Sequence, residues 1–146
     1  MNPPSILLDH NFLVAVGHPD DPNHDEAVAM YRTLVDDFVE QRCLLVARAD
    51  HLAAVDNREL FAAVDKLHVA RQHRNAAAEI VAQHGVGIDE AITLVVVHRY
   101  RIRRVASFDP RFADYDLDSK VSIPSNFVAA DATGPSRATK FAPEAT

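Results

Sequence analysis

Three aspartates stand where apolar segments end or where a helical pattern begins. Asp9 follows the apolar run 5–8, Asp109 follows the apolar run 105–108, and Asp89 opens a later helical stretch. In an open α/β sheet, ligands bind outside the carboxyl ends of the strands, so residues far apart in sequence can meet there. Carboxylates without a cysteine or a histidine pair suit a hard cation such as Mg²⁺. The pattern therefore predicts metal-assisted phosphodiester chemistry.

The elements that must position these aspartates alternate along the chain. Apolar runs predict strands over 5–8, 43–47 and 105–108, and a short edge strand over 121–123. Helical patterns cover 10–16, about 24–38 (Asn23 as N-cap), 52–55 (Asp50 as N-cap), one or two segments within 59–84, and 89 to about 100. Such alternation predicts an α/β fold with a central parallel sheet and helices on both faces. We expect one domain over 1–131 and a flexible tail over 132–146, which has too little apolar content to fold.

Composition is that of an ordinary globular domain. The 146 residues are 48% hydrophobic and 25% charged, enough for one core. No apolar stretch approaches the roughly 18 residues of a membrane span, and the N-terminus does not have the pattern of a signal peptide. The single Cys43 has no internal partner for a disulfide, which fits a reducing compartment. We therefore expect a cytoplasmic protein with no membrane contact.

The charge distribution leaves two interpretations of a basic segment open. A net charge of −6 would normally argue against a nucleic-acid partner, but acids crowd the first half and bases crowd 98–104. One interpretation is a solvated helix end, where cations are favourable. The other is a phosphate-contacting surface, with Arg99, Arg101 and Arg104 as the candidate substrate-binding residues.

Other chemistries have weaker support in the sequence. The eight histidines form no His-Glu-x-x-His run and have no cysteine partner, which disfavours a zinc site. The four glycines form no phosphate-binding loop. Cys43 lies in an apolar run, which does not suit a reactive thiol.

Four segments together resemble the PIN-domain family. They are Ile6-Leu7-Leu8-Asp9-His10-Asn11-Phe12, His24-Asp25-Glu26-Ala27, Gly87-Ile88-Asp89-Glu90-Ala91 and Arg104-Val105-Ala106-Ser107-Phe108-Asp109-Pro110-Arg111-Phe112. The resemblance covers about residues 5–115, and its specificity comes from the order and spacing of the four segments. It implies a PIN-like three-layer fold and a small, dimer-forming, Mg²⁺-dependent ribonuclease, with Mn²⁺ as a possible substitute. Bacterial members are often VapC-type toxins of toxin–antitoxin pairs.

The resemblance also implies roles for individual residues. Asp9, Asp89 and Asp109 correspond to metal-binding, catalytic carboxylates. Asn11 and Ser107 correspond to polar groups that hydrogen-bond those carboxylates and so fix their orientation. The implied partners are an RNA substrate, a cognate antitoxin protein and a second copy of the chain.

The chain departs from the family pattern at the second acid. That acid, usually a Glu on the helix after the second strand, falls nearest Ala54, which cannot bind a metal. Asp50, one helical turn earlier, is the first candidate to replace it, although it also suits an N-cap; Asp56 is the second. His10 stands where Thr or Ser is usual. The main hypothesis is an active endoribonuclease toxin, and the alternative is a catalytically impaired PIN-fold module that binds an antitoxin or RNA.

Overall fold

A parallel sheet forms the centre of the molecule. The computed structural model describes residues 3–55, 57, 59–102 and 104–109. Its strands are β1 (Ser5–Leu8), β2 (Leu44–Arg48), β3 (Asp65–Leu67) and β4 (Arg104–Ala106), and its helices are α1 (His10–Gly17), α2 (His24–Val39), α3 (Ala49–Ala54), α4 (Arg71–His84) and α5 (Ile88–Arg99). The strands are parallel and run in the order β3-β2-β1-β4. The strands predicted over 5–8, 43–47 and 105–108 correspond to β1, β2 and β4, and the predicted parallel sheet is confirmed.

Both faces of the sheet are buried, because successive strand side chains point to opposite sides. Leu7, Val46 and Val105 pack on one face with α4 and α5. Ile6 and Leu8 pack on the other face with α1 and α2. Strands buried on both faces read as continuous apolar runs, as these do. The predicted three-layer α/β fold is therefore confirmed.

Helix α5 runs through the middle of one apolar layer. Its residues 91–97 are all buried, and all except Thr93 are apolar, so protein surrounds this part of the helix on every side. It begins at Ile88 with acidic residues in its first turn and ends with His98 and Arg99, which suits the helix dipole at both ends. Among the described residues, no single helix is long and apolar enough to cross a bilayer; α4 and α5 reach that length only as a pair bent by 119°.

The prediction for residues 59–84 was wrong in its first half. Residues 59–63 form turns and 65–67 form strand β3, so that only 71–84 is helical. The backbone of Asp65 pairs with Val46, and ladder hydrogen bonds to β2 outweigh the helix propensity of this stretch, because propensity differences are small compared with tertiary contacts. Tyr31 fixes the turn, because its hydroxyl donates to the Leu60 carbonyl at 2.6 Å.

Smaller predictions also need correction. Asp50 is not an N-cap: α3 begins at Ala49 and its N-cap is Arg48. Asn23 is the N-cap of α2, but its side chain makes no capping hydrogen bond. Cys43 is buried directly before β2 and not within it. The expected edge strand at 121–123 and the expected tail at 132–146 lie outside the described residues.

Candidate active site

The carboxyl ends of β1 and β4 meet at the point where the chain reverses its direction across the sheet. From β1 the chain builds outward through β2 to β3, and then crosses to the other side of β1 to form β4. In open α/β sheets a crevice opens at such a switch point. The backbone N–H of Asp9 donates to the Ala106 carbonyl at 3.0 Å, which places residues 107–109 beside Asp9. Asp9 and Asp109 thus lie at the same sheet edge, as predicted.

A buried hydroxyl connects the residues that follow β1 and β4. Ser107 is fully buried, and its Oγ donates to Asp9 Oδ2 at 2.9 Å. The same Oγ accepts the backbone N–H of Asp109 at 3.0 Å and lies 3.2 Å from Asn11 Oδ1. Asn11 Oδ1 also accepts the Phe108 N–H at 2.9 Å. The positions predicted as polar supports, Asn11 and Ser107, therefore hold the Asp9 and Asp109 segments together.

The carboxyl group of Asp9 is much less exposed than a surface acid. Asp9 has 7% of its surface exposed. Burial raises its pKa, because it disfavours the charged form, while the hydrogen bond from Ser107 works in the opposite direction. An acid held in this way gains from a nearby cation, which would offset the desolvation of its charge.

A second group of polar residues is built around a buried arginine at the end of β2. Arg48 is 1% exposed, and its Nη2 pairs with Asp50 Oδ2 at 2.5 Å. Its Nη1 lies 3.0 Å from both the carboxylate Oδ1 and the backbone carbonyl of Asp89, and donates to Thr93 Oγ1 at 2.9 Å. One guanidinium therefore joins the end of β2 to the first turns of α3 and α5.

His51 completes this second group. It is 6% exposed, and its Nε2 lies 3.3 Å from Asp89 Oδ1. One ligand atom each from Asp50, His51 and Asp89 lie within 4.8 Å of one another, a spacing that could hold a metal ion. The hydrogen bond with His51, followed by the charge of Arg48, lowers the pKa of Asp89 to about 2 despite partial burial. For Asp50 partial burial raises the pKa, but the hydrogen bonds and charge of Arg48 outweigh it and lower the pKa.

The two groups belong to one site. The rings of His10 and His51 lie 5.1 Å apart between centroids. His10 directly follows Asp9, and the helices that carry the two rings, α1 and α3, are in contact. Nδ1 of His10 is buried and has no hydrogen-bond partner within the described part of the chain. His51 therefore links the Asp9 segment to Asp89, which lies 80 residues later in the sequence.

The predicted arginines lie away from these acids. Arg99 ends α5, which begins beside Asp89, so that about 15 Å of helix separates the two residues. Arg104 pairs with Ile6 at the amino end of the sheet, and its charge affects the pKa of Cys43 there. Arg101 follows α5 with a positive φ of 55°. One phosphate cannot contact these arginines and the acids at once.

The position nearest the family's second acid remains without a metal ligand. Ala54 is exposed at the end of α3, and Asp56 lies outside the described residues. Asp50 is the acid of α3 that lies beside Asp89.

Sequence reasoning did not identify Arg48, His51 and Thr93. A signal was present, because Arg48-Ala49-Asp50-His51 ends an apolar run just as Asp9 does, and the same strand-end rule applies to it. The burial of an arginine was not visible in the sequence, since arginine is rarely buried unless it is paired.

The donor atoms fit a divalent cation. Two partly exposed carboxylates and one imidazole nitrogen lie together, with the buried Asp9 nearby. Carboxylate oxygen suits Mg²⁺ or Mn²⁺, and imidazole suits the later transition metals.

Comparisons with known proteins agree with the fold. The sequence profile of the PIN domain matches residues 6–117. The structure of Mycobacterium tuberculosis VapC20, a sarcin-ricin loop cleaving toxin, is similar with a TM-score of 0.58 at 16% identity, over 80% of this chain and 99% of that one. VapBC2 from Rickettsia felis, bound to a DNA fragment from its promoter, is similar with a TM-score of 0.55 at 10% identity, over 87% of this chain and 98% of that one. No protein of curated function matches the sequence significantly.

Proposed function

This chain belongs to the PIN-domain family, and from that premise we propose that it is a divalent-metal-dependent endoribonuclease, the toxin of a toxin–antitoxin pair. The observation that carries the proposal is that two polar groups lie together at the carboxyl edge of the sheet: Asp9 with Ser107, and Asp50 with His51 and Asp89, joined by the contact between the His10 and His51 rings. The proposed metal-binding residues are Asp9, Asp89 and Asp109, with Asp50 as the additional acid.

Each residue has a defined task in this proposal. Asp9 and Asp89 would hold Mg²⁺ or Mn²⁺, which supplies Lewis-acid activation of the scissile phosphate and of a water molecule. Ser107 orients Asp9 by its hydrogen bond and fixes the Asp109 backbone by accepting its N–H. A carboxylate that is not fully engaged in ion binding would accept the proton of the attacking water.

The substrate would be a single-stranded or looped RNA, whose backbone is exposed and flexible. VapC20 is described as cleaving such a loop, and its similarity in fold supports this class of substrate. Arg99, Arg101 and Arg104 would contact phosphates at a distance from the cut, because Arg99 and Arg101 lie at the far end of α5 from Asp89 and Arg104 lies at the amino end of the sheet. An RNA of several nucleotides is therefore needed to reach both regions.

The proposed partners are a cognate antitoxin and a second copy of the chain, in the cytoplasm. The similarity to VapBC2, named as bound to promoter DNA, supports an antitoxin partner. Copurification of this chain with the product of an adjacent small reading frame would test the assignment.

The test of the activity is cleavage of a structured RNA by the purified chain with and without Mg²⁺ or Mn²⁺. Asp89→Asn should reduce cleavage by at least about 100-fold, because it removes a proposed ligand. Asp25→Asn is the matched control, since Asp25 is an exposed acid in the first turn of α2. Equal cleavage by wild type and Asp89→Asn would refute the assignment.

A specific observation also favours the second candidate, a module that binds an antitoxin or RNA without cutting. The Arg48 guanidinium already pairs with Asp50 and Asp89, and Ala54 supplies no ligand. This candidate predicts that the chain binds RNA or antitoxin but does not cleave in any divalent metal. Ala54→Glu would then be the variant to restore metal affinity.

A further inference from the structure

We propose that His51 makes this metal site selective for first-row transition-metal dications over Mg²⁺, by supplying a nitrogen ligand beside Asp50 and Asp89. The inference rests on the proposed metal-dependent function, and it names a specificity-determining residue that the sequence pattern did not suggest. The ions concerned are the later dications of the row, such as Co²⁺ and Zn²⁺; Mn²⁺ prefers oxygen ligands and serves as the comparison between them and Mg²⁺.

The position of the imidazole is the first support. His51 lies on α3, directly after Asp50, and the side chain is 8% exposed, so the surrounding protein holds the ring in place. Its Nε2 points toward Asp89 Oδ1 at 3.3 Å. Among the residues that the structure describes, Asp50, His51 and Asp89 form the group of His, Cys, Asp and Glu with metal-binding spacing. An ion bound by both carboxylates would therefore lie within reach of this nitrogen.

The charge around the cluster is the second support. Arg48 is buried and pairs with both carboxylates, so its charge offsets one of their two negative charges. Mg²⁺ binds proteins chiefly through carboxylate charge and retained water, and gains little from imidazole. A transition-metal ion also gains from the nitrogen ligand. A site with reduced negative charge and one nitrogen therefore favours the transition-metal ion.

The third support is that a metal ion can take the place of one existing contact of Asp89. Its Oδ1 is shared between Arg48 and His51, so an ion that binds His51 can replace the imidazole hydrogen bond with a metal bond. Arg48 has other partners in Asp50, Thr93 and the Asp89 carbonyl, and it can stay in place. Metal binding then requires little rearrangement.

Titration calorimetry in the absence of RNA tests the proposal. Affinities for Mg²⁺, Mn²⁺, Co²⁺ and Zn²⁺ are measured for wild type, His51→Asn and His98→Asn. Because transition metals also bind all-oxygen sites more tightly than Mg²⁺, the informative quantity is the ratio of Co²⁺ to Mg²⁺ affinity. This ratio should fall by at least about tenfold in His51→Asn and stay unchanged in His98→Asn, where an exposed histidine at the far end of α5 is replaced.

A measurement on the unmutated protein covers the case in which His51→Asn does not fold. In ¹⁵N-histidine-labelled wild type, Zn²⁺ should shift the Nε2 resonance of His51 at one equivalent. An unchanged affinity ratio in a folded variant, or an unshifted Nε2 resonance, would overturn the inference. RNA cleavage is measured separately: selective metal binding without cleavage contradicts the proposed activity alone, and cleavage with an unchanged ratio contradicts this inference alone. Absence of any divalent binding would contradict both.

Discussion

Two opposing effects act on the pKa of Asp9 at the end of β1. Burial raises the pKa of its carboxyl group, and the Ser107 hydroxyl stabilises the charged form by donating to Oδ2 at 2.9 Å. A folded-state pKa above the unfolded value means that the ionised group costs stability as pH rises through that range. The ionised carboxylate of Asp9 is therefore held in place at a cost to stability.

Asp9→Asn is expected to separate activity from stability. The amide has the same shape and can still accept from Ser107, but it carries no buried charge. We expect RNA cleavage to fall at least about 100-fold. The midpoint of urea unfolding at pH 7, without metal, should be equal to or above that of wild type. A clearly lower midpoint would show that the charge of Asp9 stabilises the fold.

Ser107→Ala should weaken metal binding, because the Ser107 hydroxyl holds Asp9 and the backbone of Asp109 in position. It removes the donor to Asp9 and the acceptor for the Asp109 N–H, so the pKa of Asp9 should rise further. Cleavage should fall by about tenfold or more, with weaker metal binding, because groups that orient ligands have effects of this size. Ser107→Thr keeps the hydroxyl and should retain most of the activity. If Ala and Thr behave alike, the hydroxyl does not position Asp9.

At the scale of elements, Arg48 joins β2, α3 and α5. The side chain is buried at a strand end, and it bonds to Asp50 on α3 and to Asp89 and Thr93 on α5. Because two of these partners are also proposed metal ligands, the same residue affects both the packing of the elements and the charge of the site.

Arg48→Met is expected to lower stability and raise metal affinity. Methionine keeps part of the apolar stem but leaves Thr93 and the Asp89 carbonyl without their donor, at a cost of about 2 to 4 kcal/mol. The freed carboxylates should bind Mn²⁺ more tightly, so Mn²⁺ should raise the melting temperature of the variant more than that of wild type.

The control for Arg48→Met is Arg42→Met. Arg42 pairs with Asp37 and Glu40, but its side chain is 69% exposed, and such surface pairs contribute little. Its replacement should change the unfolding free energy by less than about 0.5 kcal/mol and leave metal affinity unchanged. A similar loss in both variants would mean that Arg48 has no special role.

For the whole molecule, the order β3-β2-β1-β4 determines which charges meet. Asp9, Asp50 and Asp89 come from distant parts of the chain, yet all lie near the carboxyl edge of the sheet. Because these carboxylates titrate differently in the folded and unfolded states, the free energy of unfolding depends on pH. Comparing wild type with a variant that lacks one carboxylate measures the share of that carboxylate.

The Asp89→Asn variant should show this dependence. The pKa of Asp89 is lowered from its ordinary value of 3.8 to about 2 in the folded protein, so its ionised form stabilises the fold above the unfolded pKa, and this stabilisation is lost as pH falls toward 2. With a 63% exposed side chain, the contribution is about 1 kcal/mol. Wild type should exceed Asp89→Asn in stability by this amount above about pH 5, and the difference should vanish near pH 2. Urea unfolding of both proteins without metal measures it; a constant difference across this range would contradict the assignment.

Local patterns in the sequence were sufficient for three of the four described strands and for the positions of Asp9 and Asp89 relative to β1 and α5. Continuous apolar runs identified β1, β2 and β4, because strands buried on both faces need them. The position of Asp9 directly after β1 and of Asp89 at the start of α5 followed from the same local patterns. The strand-end rule then placed Asp9 and Asp109 at one edge, since parallel strands end on the same side.

Other features were decided only by tertiary contacts. Strand β3 has a polar sequence, Asp65-Lys66-Leu67, and forms because the edge of β2 offers hydrogen-bond partners to its backbone. The burial of Arg48 depends on Asp50 and Asp89, which only the fold brings to the same guanidinium. His51 has metal-binding spacing only because α3 and α5 begin side by side at the sheet edge, and periodicity along the chain carries no information on that distance.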